Sequence, residues 1–303
     1  MKVMFNIMEK KWIFFIIALA ILAAGLVSFF VQGLNLDIEF AGGVVVSFDL
    51  QEDFDQEEAE DIVRSVLGEY TSTVQRTRTI LETGEVSGYN LTVRFLYSDE
   101  IATDAQVAAL GAAIGNAFGA YEISSQEHIS PSTGRALANT TLWLVLIAAL
   151  IMLIYISIRF EFVTACMLVI SLIYNLGVMI TIYTLFQIPV NISFIAAILT
   201  VLAYTSNDTI VIFDRIRENM RSSKKEMYSS VANRSIWQSI TRSINTSVTT
   251  LFILIFLYIM GVPSIQEFAL PIILGIIIGT FSSIFLAAPL WATWKDAGVK
   301  DKK

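Results

Sequence analysis

Long apolar runs separated by short charged segments dominate the pattern of this chain. Crossing about 30 Å of hydrocarbon takes roughly 20 apolar residues, and six runs reach that length. The first follows Lys10 and Lys11, as the apolar region of a secretory signal would, but it is longer than such a region and no clear A-x-A site follows it. The pattern therefore predicts six transmembrane helices, with the first retained. They lie near residues 12–32, 138–158, 162–186, 190–213, 243–260 and 267–294.

The segment between the first two runs has the periodicities of a water-exposed domain. Four stretches are β-rich or alternate in polarity, and two stretches between them repeat apolar residues at helical spacing. A turn is expected near residues 84–88. The order βαββαβ predicts an α+β domain of the ferredoxin-like, split-βαβ type. The strands are expected at 43–50, 73–81, 90–97 and 121–129, and the helices at 54–68 and 103–118.

The placement of lysine and arginine predicts the orientation of the helices. Short loops rich in these residues stay in the cytoplasm. Basic residues precede the first run, follow the second at Arg159, and recur after the fourth and the sixth runs, which is one side of the membrane if there are six spans. Both termini are therefore expected in the cytoplasm. The predicted parts are 1–32 (N-terminus and first helix), 33–136 (external domain), 137–294 (helices two to six with a cytoplasmic loop at 214–242) and 295–303 (cytoplasmic tail).

The composition is typical of a membrane protein and limits the kinds of chemical site that the chain can contain. Of the 303 residues, 55% are hydrophobic and 16% are charged, whereas soluble domains carry about 25% charged residues. Residues 33–136 hold 18 acidic and 5 basic residues, so the external domain is strongly acidic. Cys166 and His128 are the single cysteine and histidine, which excludes an intrachain disulfide and disfavours a metal site or a histidine-based triad. No nucleotide-binding glycine loop occurs either, and we expect no enzyme activity, cofactor, bound metal or nucleic-acid partner.

Asp208 is the only carboxylate well inside a predicted span. Thr200, Tyr204 and Asp208 recur every four positions, which gives the fourth helix one polar face. Ionisable groups in hydrocarbon cost several kcal/mol unless they are paired or hydrated, so such a residue carries a functional hypothesis. The alternative is that Asp208 is a hydrogen-bonded packing residue.

A second polar stripe lies on the fifth helix, where Arg242, Asn245, Thr246 and Thr249 follow helical spacing. Burial disfavours the charged form of a carboxylate and a nearby guanidinium favours it, so a change in their separation can drive uptake or release of a proton. The alternative for Arg242 is a positive anchor at the membrane interface. Direct pairing with Asp208 requires Arg242 to reach inward by roughly 9 Å, or the fifth helix to begin deeper than predicted.

The sixth run contains Gly275 and Gly279 in the spacing GIIIG. Small residues four positions apart let another helix approach closely. The pattern predicts a helix–helix interface, either within the chain or with a partner.

Four stretches, in this order along the chain, resemble motifs of the SecF family. Ile38–Gly43 (IEFAGG) resembles IDFTGG at the start of the external domain, and Ala203–Asn219 (AYTSNDTIVIFDRIREN) resembles GYSINDTVVVFDRIREN. Residues 242–251 (RSINTSVTTL) resemble RTLNTSLTTLL, and 275–290 (GIIIGTFSSIFLAAPL) resemble the final helix of the family. The departures are Ala203 for glycine, Glu39 for aspartate and Asp37 for a preceding glycine. The residues of the first motif that we single out are Glu39, Phe40, Gly42 and Gly43.

This resemblance implies a role in bacterial protein export. It implies that the chain pairs with SecD in a pseudo-symmetric twelve-helix unit of the RND superfamily, in the bacterial inner membrane with SecYEG, SecA and YajC. Proton flow would then be coupled to movements of external domains that hold the emerging preprotein and prevent backsliding, with protons as the coupling ion. Asp208 and Arg242 match the proton-path positions of the family. Further candidates are Tyr204, Asn207, Asn245 and Thr246.

Two other functions remain open at this point. A small-molecule exporter of the RND superfamily would carry twelve helices and two external domains in one chain, which this length does not favour. A structural subunit would hold its neighbours together without passing protons, and the GIIIG spacing suits that role equally well.

Overall fold

The computed structural model describes residues 6–68, 71–80, 86–96, 103–222 and 226–300. It divides into two compact units, one of Met1–Leu34, Trp143–Ile188 and Ser193–Lys303, the other of Asn35–Leu142 and Pro189–Ile192. In chain order the elements are α1 (Lys11–Gln32), α2 (Ile38–Ala41), β1 (Gly43–Leu50), α3 (Gln56–Leu67), β2 (Thr71–Ile80), β3 (Val86–Leu96), α4 (Thr103–Phe118), β4 (Tyr121–Ile129), α5 (Pro131–Arg159), α6 (Phe162–Leu185), α7 (Ile192–Ser222), α8 (Tyr228–Met260), α9 (Pro263–Ser282), a π-helical turn (Ser283–Ala287) and α10 (Ala288–Lys300).

Among the residues that the structure describes, six helices are long and apolar enough to cross a membrane, which confirms the predicted number. They are α1, α5, α6, α7, α8 and the continuous run from α9 through the π-helical turn into α10. At one end of this unit a core forms around Phe213 and Ile216 of α7, Ile236 of α8, and Ala287 and Trp291 of the last helix.

The predicted loop at 214–242 is the main point at which the helical unit differs from expectation. α7 continues to Ser222 and α8 already begins at Tyr228, so most of this stretch is helical. Hydropathy detects only the apolar part of a helix, and these extensions are charged and polar. Asp296 of α10 caps the N-terminus of α8. Its carboxylate accepts hydrogen bonds from the backbone N–H groups of Tyr228 (3.1 Å) and Ser229 (3.2 Å). The predicted tail is likewise helical up to Lys300.

The second unit contains a four-stranded antiparallel sheet in the order β2-β3-β1-β4. This order follows from βαββαβ connectivity, so the ferredoxin-like prediction is confirmed. Alternate residues of β1 are buried against α3 and α4, as period-2 patterning requires. The buried residues of β1 are Val44, Val46, Phe48 and Leu50.

Details of this unit depart from the sequence-based boundaries. β3 begins at Val86, so Gly88 lies inside the strand rather than in the expected turn. Residues 81–85 and Tyr97 lie outside the described residues. The short helix α2 was not predicted, because a single turn leaves no periodic signal. Its Asp37 cap accepts a hydrogen bond from the backbone N–H of Ile38 at 2.8 Å.

Candidate functional site

Asp208 and Tyr204 lie one turn apart on α7, and both side chains are half-buried. Asn207, between them in sequence, is exposed. Thr205 and Thr209 are each 1% exposed and occupy another face of the helix. The carboxylate and the buried threonines therefore lie on adjacent faces of α7.

Two other helices complete the surroundings of the Asp208 carboxylate. Arg242 and Ser243 of α8 and Ser283 of the π-helical turn all interact with it. Within the described part of the chain, however, Asp208 Oδ2 is buried without a hydrogen-bond partner, and so is Ser243 Oγ. The Ser243 hydroxyl thus lies near the carboxylate without reaching good hydrogen-bond geometry. Buried polar atoms are rarely left unpaired, so this is a place where a water molecule or an added proton would be stabilised.

A cavity of about 50 Å³ adjoins the carboxylate. That volume is large enough to hold water. Arg242 lies within α8, which begins at Tyr228, but among the described residues no ion pair joins it to Asp208. Asn245 is the one predicted proton-path residue that does not line the cavity. The lining residues are Tyr204, Asn207, Asp208, Val211, Arg242 and Thr246.

The polar stripe of α8 lies on the outside of the helical unit. Arg242, Asn245 and Thr246 are exposed. The Thr246 hydroxyl donates a hydrogen bond to the Arg242 backbone carbonyl at 2.8 Å, so the Thr246 O–H is already paired within α8. The Arg242 guanidinium and the Asn245 amide remain on a surface that would otherwise face lipid, where polar groups are costly. This surface suits contact with a second polar surface in the membrane.

Gly275 and Gly279 lie on α9 where it packs against α7. A side-chain carbon at Gly275 would overlap Val201, and one at Gly279 would overlap Thr205. Residue numbers increase together on the two helices, so α7 and α9 run parallel at this contact. Of the two predicted uses of the GIIIG spacing, these glycines serve a contact within the chain.

The π-helical turn begins one helical turn after Gly279, at the level of Asp208. Ser283 Oγ donates to the Gly279 carbonyl at 2.8 Å and lies 2.8 Å from Thr209 Oγ1. Ser247 of α8 and Thr280 of α9 are joined by a 2.7 Å hydrogen bond. π-helical turns often occur at functional sites. Here the turn starts at a residue that interacts with the candidate carboxylate.

The motif that leads into the α+β unit includes a helix cap. Glu39 Oε2 accepts a hydrogen bond of 2.6 Å from the backbone N–H of Ile192, the first residue of α7. A carboxylate is favoured at this position, where a helix leaves N–H groups unpaired.

Asp37, which is 1% exposed, forms an ion pair of 3.2 Å with Arg94 of β3. Phe40 is buried. Sequence reasoning missed the Asp37–Arg94 pair because its members lie far apart in the chain.

The glycines of the same motif are required by close backbone contacts. Gly42 has a φ of +87°, which favours glycine, and a side chain there would meet the backbone of Pro131. A side chain at Gly43 would overlap the carbonyl of Phe95. The start and the end of the α+β segment therefore meet at Gly42 and Pro131.

Among the residues that the structure describes, no three or more His, Cys, Asp and Glu side chains converge to hold a metal ion. His128 lies on β4, with its Nε2 atom 2.9 Å from Gln126 Nε2. Cys166 is half-buried in α6.

Comparison with known proteins identifies relatives along the whole chain. The family described as "Protein export membrane protein SecD/SecF, C-terminal" matches residues 109–297. Protein translocase subunit SecF of Alicyclobacillus acidocaldarius is 33% identical over 307 residues, which cover 99% of this chain and 96% of the relative. SecF of Sebaldella termitidis is 34% identical over 94% of this chain and 90% of that relative.

Longer relatives match this chain over only part of their own length. Protein translocase subunit SecDF of Bacillus subtilis is 32% identical over 96% of this chain, but only 38% of the relative is covered. The crystal structure of SecDF from Thermus thermophilus matches with a TM-score of 0.77 and 26% identity, covering 97% of this chain and 39% of that one. A SecDF structure in a super-membrane-facing form gives a TM-score of 0.78 and 25% identity over 100% of this chain and 40% of the other. With a fold of six helices and a ferredoxin-like domain, and with SecF relatives matched over almost their full length, this chain belongs to the SecF family of protein translocase subunits.

Proposed function

We propose that this chain couples proton movement to protein export as the SecF-like partner of a SecD subunit. The observation that carries the proposal is the Asp208 carboxylate, with its unpaired buried oxygen, beside a water-sized cavity that Arg242 also lines. Protonation of Asp208 would remove its attraction to Arg242, and release of the proton would restore it. This alternation can move α7 relative to α8.

The membrane potential is the proposed energy source for this movement. Each elementary charge that crosses 100 mV contributes about 2.3 kcal/mol. The proposal places both termini in the cytoplasm and residues 33–136 outside the bacterial inner membrane, because the basic residues flank the same ends of the helices. The external domain would then hold the emerging preprotein and prevent its backsliding, without enzyme chemistry in this chain.

A partner subunit is supported by the exposed polar face of α8. Arg242 and Asn245 lie on the outside of the helical unit. SecDF relatives carry a longer chain, of which this one spans about two-fifths. We therefore assign SecD to this face, where it would supply a further acidic group. SecYEG, SecA and YajC are proposed as further partners in line with membership of the SecF family.

The test is protein export in membrane vesicles with and without a membrane potential. We expect Asp208→Asn and Arg242→Met to abolish the acceleration of export by the potential while assembly with SecD persists. The matched controls are Asp214→Asn on the same helix and Arg234→Met on α8, since neither residue lines the cavity of Asp208. Both controls should retain the acceleration.

Two other outcomes would favour the alternative functions, a structural subunit or a small-molecule exporter. If Asp208→Asn retains full dependence on the potential, the chain is a structural assembly subunit and the coupling proposal is wrong. A small-molecule exporter would instead transport without a second subunit, which reconstitution of the chain alone would reveal.

A further inference from the structure

A second, larger cavity lies at the turn between α5 and α6, apart from the Asp208 site. Its volume is about 420 Å³, and its walls come from that turn and from α6, α7, α8 and α10. None of its lining residues lines the cavity of Asp208. Ligand sites in proteins typically enclose about 300–1,000 Å³, so this cavity is in the range of a binding site.

The charges on its walls are mostly positive. Arg159, Arg217 and Lys295 line it, and Glu161 is the one acidic residue among the described lining residues. Glu161 is already paired with Lys295 at 2.5 Å. Within the described residues, neither Arg159 nor Arg217 forms an ion pair. Two guanidinium groups are therefore left to face an anion.

Arg217 forms a hydrogen bond to the protein backbone. Its Nη1 atom donates to the backbone carbonyl of Arg159 at 3.4 Å, which brings its side chain to the end of α5. Arginine binds phosphate oxygens through two parallel N–H donors, and a pair of arginines provides several such donors.

Another part of the lining is aromatic and packed together within the chain. Trp291 of α10 is only 5% exposed. Phe213 and Tyr228 pack edge-on against it, with ring centroids 6.2 Å and 5.7 Å away. A ligand for this cavity thus combines an anionic group with hydrocarbon. α5 ends at Arg159 and α6 begins at Phe162, so the cavity lies at the ends of two apolar helices, where lipid headgroups would be expected.

We propose that this cavity binds the phosphate group of an anionic membrane lipid, with Arg159 and Arg217 contacting the phosphate and the Trp291 wall contacting an acyl chain. Basic pockets between transmembrane helices are suited to such headgroups. A free phosphate ion would leave the aromatic wall unused. This inference is independent of proton coupling, because it involves no residue of the Asp208 site.

The test measures lipid binding to the full chain in mild detergent. Thermal unfolding is followed while phosphatidylglycerol, phosphatidylcholine or inorganic phosphate is added, and native mass spectrometry counts retained lipids. We expect phosphatidylglycerol to raise the midpoint at concentrations at which phosphatidylcholine and inorganic phosphate do not. Arg217→Gln and Arg159→Gln should each weaken binding about fivefold, and the double variant should weaken it more than either single variant.

Arg221→Gln is the matched control, since Arg221 is an exposed arginine of α7 outside the cavity. It should bind phosphatidylglycerol like the unchanged chain. Equal weakening in Arg221→Gln would overturn the proposal in favour of unspecific charge attraction. Equal stabilisation by inorganic phosphate would reassign the cavity to a soluble anion, and unchanged binding in the double variant would show that the two arginines do not form a lipid site.

Discussion

At the scale of single residues, short polar side chains define the surroundings of Asp208. Ser243 and Ser283 interact with its carboxylate from two different helices. Neither was predicted, because a serine in a helix commonly bonds to its own backbone and so gives no positional signal. Asp208 itself was predictable, since a carboxylate in an apolar span stands out by its cost.

Glu39 provides a test of a single hydrogen bond. Replacing Glu39 with alanine removes the acceptor for the N–H of Ile192 and should destabilise the first turn of α7 by about 0.5–2 kcal/mol. Hydrogen exchange at residues 192–195 of the full chain measures this as faster exchange.

Two variants control for this effect. Glu39→Gln keeps an acceptor oxygen and should exchange more slowly than Glu39→Ala. Glu122→Ala removes an exposed carboxylate of β4 and should leave residues 192–195 unchanged. Identical exchange in the alanine variant and the unchanged chain would show that Glu39 does not cap α7.

At the scale of elements, the sequence predicted which helices and strands occur better than it predicted where each one begins and ends. The six helices were predicted from the length of apolar chain that crosses hydrocarbon, and the βαββαβ unit from the periods of 3.6 and 2.0 that one-sided burial imposes. The start of α8 was missed by the apolar window, since residues 228–242 mix polar and apolar side chains yet are helical. The π-helical turn has no sequence signal that we can identify.

The packing of α9 against α7 is tested by enlarging one glycine. A methyl group at Gly279 would overlap the Thr205 side chain, so Gly279→Ala should destabilise the folded chain by about 1–3 kcal/mol. Thermal unfolding in detergent measures the loss.

Gly298→Ala is the matched control for this substitution. Gly298 lies in α10 with no atom within 4 Å of an added methyl group. Alanine is the better helix former, so this variant should be unchanged or more stable by up to about 1 kcal/mol. An unfolding midpoint for Gly279→Ala equal to that of Gly298→Ala would contradict close packing at Gly279.

At the scale of the whole molecule, the site around Asp208 opens onto an exposed surface of the helical unit. Its cavity is lined by residues that are themselves exposed, such as Asn207 and Arg242, and Asn245 extends the same surface. The sequence identified these polar positions, but no pattern in one chain states whether a polar face turns inward or toward another subunit. That distinction requires the packing of all the helices.

Protection from chemical labelling decides whether a partner covers this face. In a Cys166→Ala background, which removes the single native cysteine, Asn245→Cys introduces one reactive thiol on α8. We expect a maleimide to label it in the isolated chain in detergent and several-fold more slowly after co-expression with SecD, because the partner would cover the Asn245 surface. Trp143→Cys, at a residue 64% exposed on α5, reports on general shielding by detergent and should label equally in both preparations. Protection at position 143 with continued labelling at 245 would assign the partner to α5 and separate the Asp208 cavity from the subunit interface.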